Sequence, residues 1–259
     1  FIVSSLDPEQ TFLKLIGEEH LDDDLVASVK NWQWEEESLY VLHMALDTAP
    51  QFKASSYDSL LNKAFIYVMG YETDEDFISH WNAIKKGELM EIGFNCCFPS
   101  VLDPIEAPSG FHTGLISEMA PYELKDGGAA KWYNHKFKHE HAKKLREILR
   151  RYAPNITEEQ VLMTYITTPL DIENKLWDMK KGSIKQGAYL SLQMGVYRPN
   201  EYCSNHRTPI KKFYVNGACT YSGGTVIFGP GYLAANAIAE DLGIKKWWTP
   251  PVIADDQTF

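Results

Sequence analysis

The stretch with the most chemical potential runs from Phe213 to Gly243. Phe213-Tyr214-Val215-Asn216-Gly217-Ala218-Cys219 reads as an apolar strand ending in small residues, followed by Ser222-Gly223-Gly224-Thr225 and an alanine-rich helix that reaches Leu242 and is capped by Gly243. Strand, glycine turn and helix together aim free backbone N–H groups and the positive helix end at one point, an arrangement that holds an anion or a developing negative charge. Ala234, Ala235, Ala237 and Ala239 let such a helix lie close to a sheet. The plain alternative is a buried helix packed on a core strand.

Two other patterns carry less. Gly229-Pro230-Gly231-Tyr232-Leu233-Ala234 has the spacing of a dinucleotide-binding G-x-G-x-x-A, but it does not directly follow the strand, and Pro230 removes a backbone donor. It reads as a bend or late start of the helix, and no nucleotide fingerprint is found elsewhere. His135, His139 and His141 include one i, i+4 pair on a charged segment but lack a carboxylate placed to complete a metal site, so no metal is expected.

The elements that must position the glycine turn are a mixture. Ile2-Val3 forms a short β-type run ended by the turn signal Ser4-Ser5-Leu6-Asp7-Pro8. Residues 8–31 read as helix and turn, with Phe12, Leu15 and Ile16 on one face and Asp22-Asp23-Asp24 at a second helix start. Strands are expected at 38–46, 63–69, 92–98 and 112–120, with His43 half-buried, and helices at 74–86 and 131–152. Residues 158–167 fit a strand or a short helix, and the tail from Lys245, with Trp247-Trp248 and Pro250-Pro251, reads as an extended arm.

With 259 residues, 44% of them hydrophobic, the chain can bury a substantial core. A net charge of −10 argues against a nucleic-acid binder, which needs a basic face. Four cysteines without a C-x-x-C fit a reducing, cytoplasmic setting. No apolar run approaches a membrane span, and peripheral contact with a membrane is left open. A chain that opens within a β-type run suggests a fragment, a processed chain or one subunit of a split enzyme.

The run YVNGACTYSGGTVIFGPGYLAANAIAEDLG resembles the C-terminal flavin segment of the phytoene desaturase, carotenoid isomerase and retinol saturase-like FAD-dependent oxidoreductases. SLDPEQTFLKLI, SVLDPIEAPSGFHTGLISEMAPYEL, TTPLDIENKLWDMKKGSIKQG and YRPNEYCSNHRTPIKKFYVNGA follow in that family's order, so the resemblance covers nearly the whole chain. It implies an α/β fold in which an α+β substrate domain accompanies the C-terminal part of a two-domain FAD-binding fold. The N-terminal nucleotide-binding βαβ unit, with its G-x-G-x-x-G, is missing from this chain. The implied division is residues 1–8 as a strand of the FAD domain, 9–205 as the substrate-binding domain, 206–244 as the strand and helix contacting the isoalloxazine, and 245–259 as a tail.

The same resemblance implies FAD as cofactor and a second polypeptide, or a missing N-terminal half, to carry the nucleotide-binding unit. A reduced flavin carries negative charge around N1 and the C2 carbonyl, which suits the glycine turn. Gly217 and Ala218 would lie beside the flavin, with Gly223, Gly224, Thr225 and Val226 presenting backbone amides to its pyrimidine edge. The family usually has a proline and three glycines where this chain has Ser222-Gly223-Gly224-Thr225, and Tyr221 stands where a histidine is common. Flavin dehydrogenation needs a positioned C–H bond and at most one general base; Tyr221, Arg198, His112 and Tyr197 are the candidates. For Arg198 a structural ion pair, and for His112 a core hydrogen bond, are the competing roles. The implied function is oxidation, saturation or flavin-assisted isomerisation at a carbon–carbon bond of a hydrophobic substrate. The competing class is a non-catalytic subunit that stabilises a heteromeric flavoprotein.

Overall fold

A computed structural model describes residues 1–224 and 228–248, and shows a mixed α/β chain divided into two compact units. One is Trp34–Ser183; the other joins Phe1–Gln33 to the segment from Ile184 onward. Residues 9–33 and 184–205, expected with the substrate domain, therefore cluster with the two terminal segments.

The unit from Trp34 to Ser183 is built on five antiparallel strands, β2 (Glu37–Leu46), β3 (Tyr67–Met69), β4 (Phe94–Cys97), β5 (His112–Pro121) and β6 (Val161–Thr167), in the order β3-β4-β5-β2-β6. In β2 the alternation Tyr40, Leu42, Met44, Leu46 lines one face of the sheet, as strand periodicity requires. With Phe94, Cys96, Ile116, Ala120 and Ile166 these residues form one buried cluster. Its cover is α4 (His135–Tyr152), which contributes Ala142, Leu145, Ile148 and Leu149. On the opposite face Met163 and Tyr165 are exposed, and so is His43, expected half-buried, whose ring lies 6.0 Å from that of Tyr165.

Shorter helices punctuate this unit. α2 (Asp74–Lys85) starts from a Thr73/Asp76 capping box. α3 (Pro99–Leu102) and α5 (Pro169–Lys175) each begin with proline at a position where no N–H is needed. The strand expected at 63–69 is reduced to Tyr67–Met69, because Asp58 caps a helical turn at Ser59–Lys63 by accepting from the Leu60 N–H. The helix expected from 131 begins at His135, where the Asn134 side chain accepts from the Phe137 N–H. Residues 158–167 resolve into a single turn at Glu158–Gln160 followed by β6.

The other unit pairs β1 (Ile2–Ser4) in parallel with β7 (Phe213–Val215), with Ile2 opposite Phe213 and Ser4 opposite Val215. Around them lie a π-helical stretch at Glu9–Gly17, α1 (Asp23–Lys30) and α6 (Gly229–Leu242). Phe12, Leu25, Val29, Cys203 and Val215 form its core. The wider winding of the π-helix sets Phe12 and Ile16 against this core and turns Leu15, expected on the same face, out to solvent at 69% exposure. The acids Asp22, Asp23 and Asp24 do open α1. Gly243 ends α6 in a left-handed conformation at φ +64°, which glycine adopts without strain.

Candidate functional site

The strand read as 213–219 stops at Val215, and the chain then enters a tight turn running to Gly224. The Asn216 N–H donates to the Ser4 carbonyl at 2.7 Å, extending the ladder between β1 and β7 by one residue. Gly217 follows at φ +92°, and a Cβ there would lie 2.6 Å from the Ser5 carbonyl oxygen, so both backbone and space demand glycine. The Gly217 carbonyl accepts from the Thr220 N–H at 3.1 Å and the Thr220 hydroxyl at 2.8 Å; the Thr220 carbonyl accepts from the Gly223 N–H at 2.7 Å. At Gly224 a Cβ would stand 2.3 Å from the Ala218 Cβ.

Three side chains from 186–198 fix this turn. Gln186 is buried, donating through Nε2 to the Ser5 carbonyl at 3.1 Å while its Oε1 accepts from the Cys219 N–H at 3.2 Å. Tyr189 accepts through its hydroxyl oxygen from the Gly224 N–H at 3.0 Å. Arg198, wholly buried, sends Nε and Nη2 to the Ala218 carbonyl at 3.0 and 2.9 Å and Nη2 to the Lys185 carbonyl at 2.7 Å. Its guanidinium also packs against the rings of Tyr189 and Trp32, at 4.8 and 5.3 Å from their centroids. Arg198 thus clamps several loop carbonyls from a buried position.

The geometry leaves specific groups unspent. Gly217 and Ala218 are half-exposed, and among the described residues nothing accepts from their N–H groups. Beside them the buried Asn216 Oδ1 has no hydrogen-bond partner. Two adjacent donors beside an unpartnered acceptor, at the end of a parallel strand, fit a ligand edge that offers both acceptors and a donor, and the pyrimidine side of a flavin, with its carbonyl oxygens and N3–H, is one such edge. α6 begins at Gly229, the late start that Pro230 near its first turn suits. Gly223 and Gly224, expected to present their amides to the flavin, donate them within the described turn, to the Thr220 carbonyl and the Tyr189 hydroxyl; Thr225 and Val226, expected to donate with them, lie outside the described residues, as do residues 249–259 of the tail. Within the tail Trp247 is 89% exposed and Trp248 donates to Asn236 Oδ1.

Tyr221 is exposed on the same turn and Tyr197 is exposed in the same unit as Arg198. His112 belongs to the sheet unit, half-buried, with Nδ1 3.2 Å from the Ser100 hydroxyl. Gln186 and Tyr189 were missed by sequence reasoning; the signal available was a polar and an aromatic residue on either side of Gly187, in a loop read only as glycine-bracketed. Among the described residues no group of three or more His, Cys, Asp or Glu could hold a metal ion, and no helix is long and apolar enough to cross a membrane. His141 is engaged elsewhere, its Nε2–H donating to Glu118 Oε2 at 2.5 Å in the sheet unit.

By sequence, the relatives that the chain matches carry the names of oxidoreductases. It is 37% identical over 257 residues to the B subunit of limonene dehydrogenase from Castellaniella defragrans, a match covering 96% of this chain and 46% of that protein. It is 29% and 28% identical to the pyridine nucleotide-disulfide oxidoreductase domain-containing protein 2 of Mus musculus and of Rattus norvegicus, covering 93% of this chain and 42% of each relative. The chain spans about half the length of the curated relatives it matches. No family model matches it.

Proposed function

We propose that this chain is the flavin-edge and substrate-binding portion of an FAD-dependent oxidoreductase of the phytoene desaturase type. Hydrogen is removed from or added to a carbon–carbon bond of a hydrophobic substrate, or moved across it in a net isomerisation. The observation that carries the reading is the turn at Gly217–Ala218, whose two unspent N–H groups stand beside an unpartnered Asn216 Oδ1 acceptor at the end of a parallel strand. Bound FAD supplies the acceptor or donor of hydride. The chain's own part is to present the Gly217 and Ala218 amides, keep them rigid through Gln186, Tyr189 and Arg198, and favour negative charge at the flavin's pyrimidine edge. Tyr221, exposed on the same turn, is proposed to touch flavin or substrate, and His112 to serve the substrate side.

The partner reading rests on β1. A parallel pair of strands is normally buried within a larger sheet, yet Ile2 and Val3 are 64% and 40% exposed, and no strand covers the outer edge of β1 among the described residues. We place there the strands of a nucleotide-binding unit carrying G-x-G-x-x-G, supplied by a second polypeptide or by an N-terminal half. The limonene dehydrogenase relative, itself named as one subunit of its enzyme, supports a heteromer. Cytoplasmic placement belongs to the same proposal, supported by four free cysteines.

The test is purification from the native source with whatever co-purifies, followed by absorption spectroscopy and quantitation of flavin released on denaturation. Stoichiometric FAD, with a perturbed spectrum in Gly217→Val, is the expected result. An intact assembly without flavin would overturn the proposal in favour of a stabilising subunit.

A further inference from the structure

Residues 52–68 run from the connection after β2 into the edge strand β3 and carry a concentration of apolar side chains that the fold leaves exposed. The segment is anchored from within: Phe52 and Tyr67 pack ring to ring at 4.3 Å, and the Phe52 N–H donates to Asn62 Oδ1 at 2.9 Å. Outside that anchor, Tyr57, Phe65, Leu60, Val68 and Ile66 are 93, 80, 68, 63 and 53% exposed. Tyr57, Leu61, Ile66 and Val68 border a cavity of about 590 Å³ whose rim includes Lys53 and Arg151.

The charges around this patch are mostly basic, against a net charge of −10 for the whole chain. Lys53, Lys63 and Arg151 are exposed, and among the described residues no carboxylate lies within ion-pair distance of any of them. The one acid in the segment, Asp58, uses its carboxylate to cap the turn at Leu60. A chain of net charge −10 needs a locally basic face of this kind to approach an anionic surface. Protein–protein interfaces deplete lysine, whereas membrane-surface segments set Lys and Arg beside protruding aromatic and aliphatic side chains. Tyr57 at the tip suits the headgroup region, where amphipathic rings settle.

We propose that residues 52–68 seat the protein on an anionic lipid surface, with Tyr57, Leu60, Phe65 and Ile66 entering the interface and Lys53, Lys63 and Arg151 contacting headgroup phosphates. This surface stands independently of the flavin reading, and either can fail without the other.

The test is co-sedimentation of the full protein, with any partner that purifies with it, on vesicles of phosphatidylcholine alone and of phosphatidylcholine with phosphatidylglycerol. The expected result is binding to the anionic vesicles that weakens at least about tenfold in a Leu60→Ser, Phe65→Ser variant. Removal of each cation, Lys53→Gln or Lys63→Gln, lowers it roughly fivefold. All four substituted side chains are exposed, and an unchanged thermal unfolding midpoint verifies that the variants fold. Absence of vesicle binding, binding without preference for the anionic lipid, or binding unaffected by the variants would each overturn the proposal. So would loss of a co-purifying polypeptide from the Leu60→Ser, Phe65→Ser variant with lipid binding intact, which would make the patch a protein-docking face.

Discussion

Glu118 stands opposite Tyr40 in the centre of the sheet, fully buried, with one carboxylate oxygen on His141 and Oε1 without a partner. Burial pushes its carboxyl above the usual range, and the adjacent His141 pulls the other way. His141→Ala strands that carboxyl in the core, and we expect it to destabilise the protein by about 3–5 kcal/mol, read as a lower urea midpoint. Glu118→Gln, which keeps the shape and removes the charge, should cost about 1 kcal/mol. Equal losses in the two variants would show that packing, not charge, sets the cost. Little of this is legible in the sequence: His141 sits in a histidine cluster that invites comparison with a metal site, and nothing in its spacing points to an acid 23 residues earlier on a strand. Gly217 is the contrasting case, because a glycine at the end of an apolar strand already signals a backbone that must turn where no Cβ fits.

At the level of elements, the sequence pattern is a reliable guide wherever a single periodicity runs long enough. β2, β5, α2 and α4 lie close to where alternation or a helical stripe puts them. Where competing local bonds decide, the pattern misleads: Asp58 claims the Leu60 amide and shortens β3, and the wide winding of Glu9–Gly17 rotates Leu15 outward. The loop at 184–198 shows neither periodicity, yet it holds the glycine turn through Gln186, Tyr189 and Arg198. Arg198→Lys keeps the charge but loses the planar fork that reaches several carbonyls. We expect a loss of roughly 2 kcal/mol or more and faster amide exchange across 217–224, measured by urea denaturation and hydrogen exchange. A lysine variant as stable and as protected as the parent would remove Arg198 from the scaffold of the turn.

Across the whole molecule, each unit carries one buried histidine with a depressed pKa. His80 donates through Nε2 to the Met119 carbonyl, with Nδ1 2.7 Å from the Tyr71 hydroxyl; His206 donates through Nδ1 to the Val215 carbonyl. Burial lowers both from the ordinary 6.5, with the carbonyl bonds opposing. The folded state therefore binds fewer protons than the unfolded one just below 6.5. Stability from these groups is fully present above that value and is lost as pH falls through the lower folded pKa values. Urea midpoints should decline as pH drops below 6.5, and a His80→Gln, His206→Asn variant should show a shallower decline; an unchanged slope would assign the loss to carboxylates.

The path of the chain has a consequence for heredity rather than for chemistry. The sheet unit is closed at its two ends, where Glu35 and Ser183 are hydrogen-bonded to each other, and within the other unit the Gln33 carbonyl accepts from the Ala188 N–H at 2.9 Å. A module closed at its own neck in this way can be cut out or exchanged with a relative's counterpart through two junctions. The glycine turn, with every side chain that holds it, stays behind in the host. Lineages that trade this module would acquire a new sheet face while inheriting the turn unaltered.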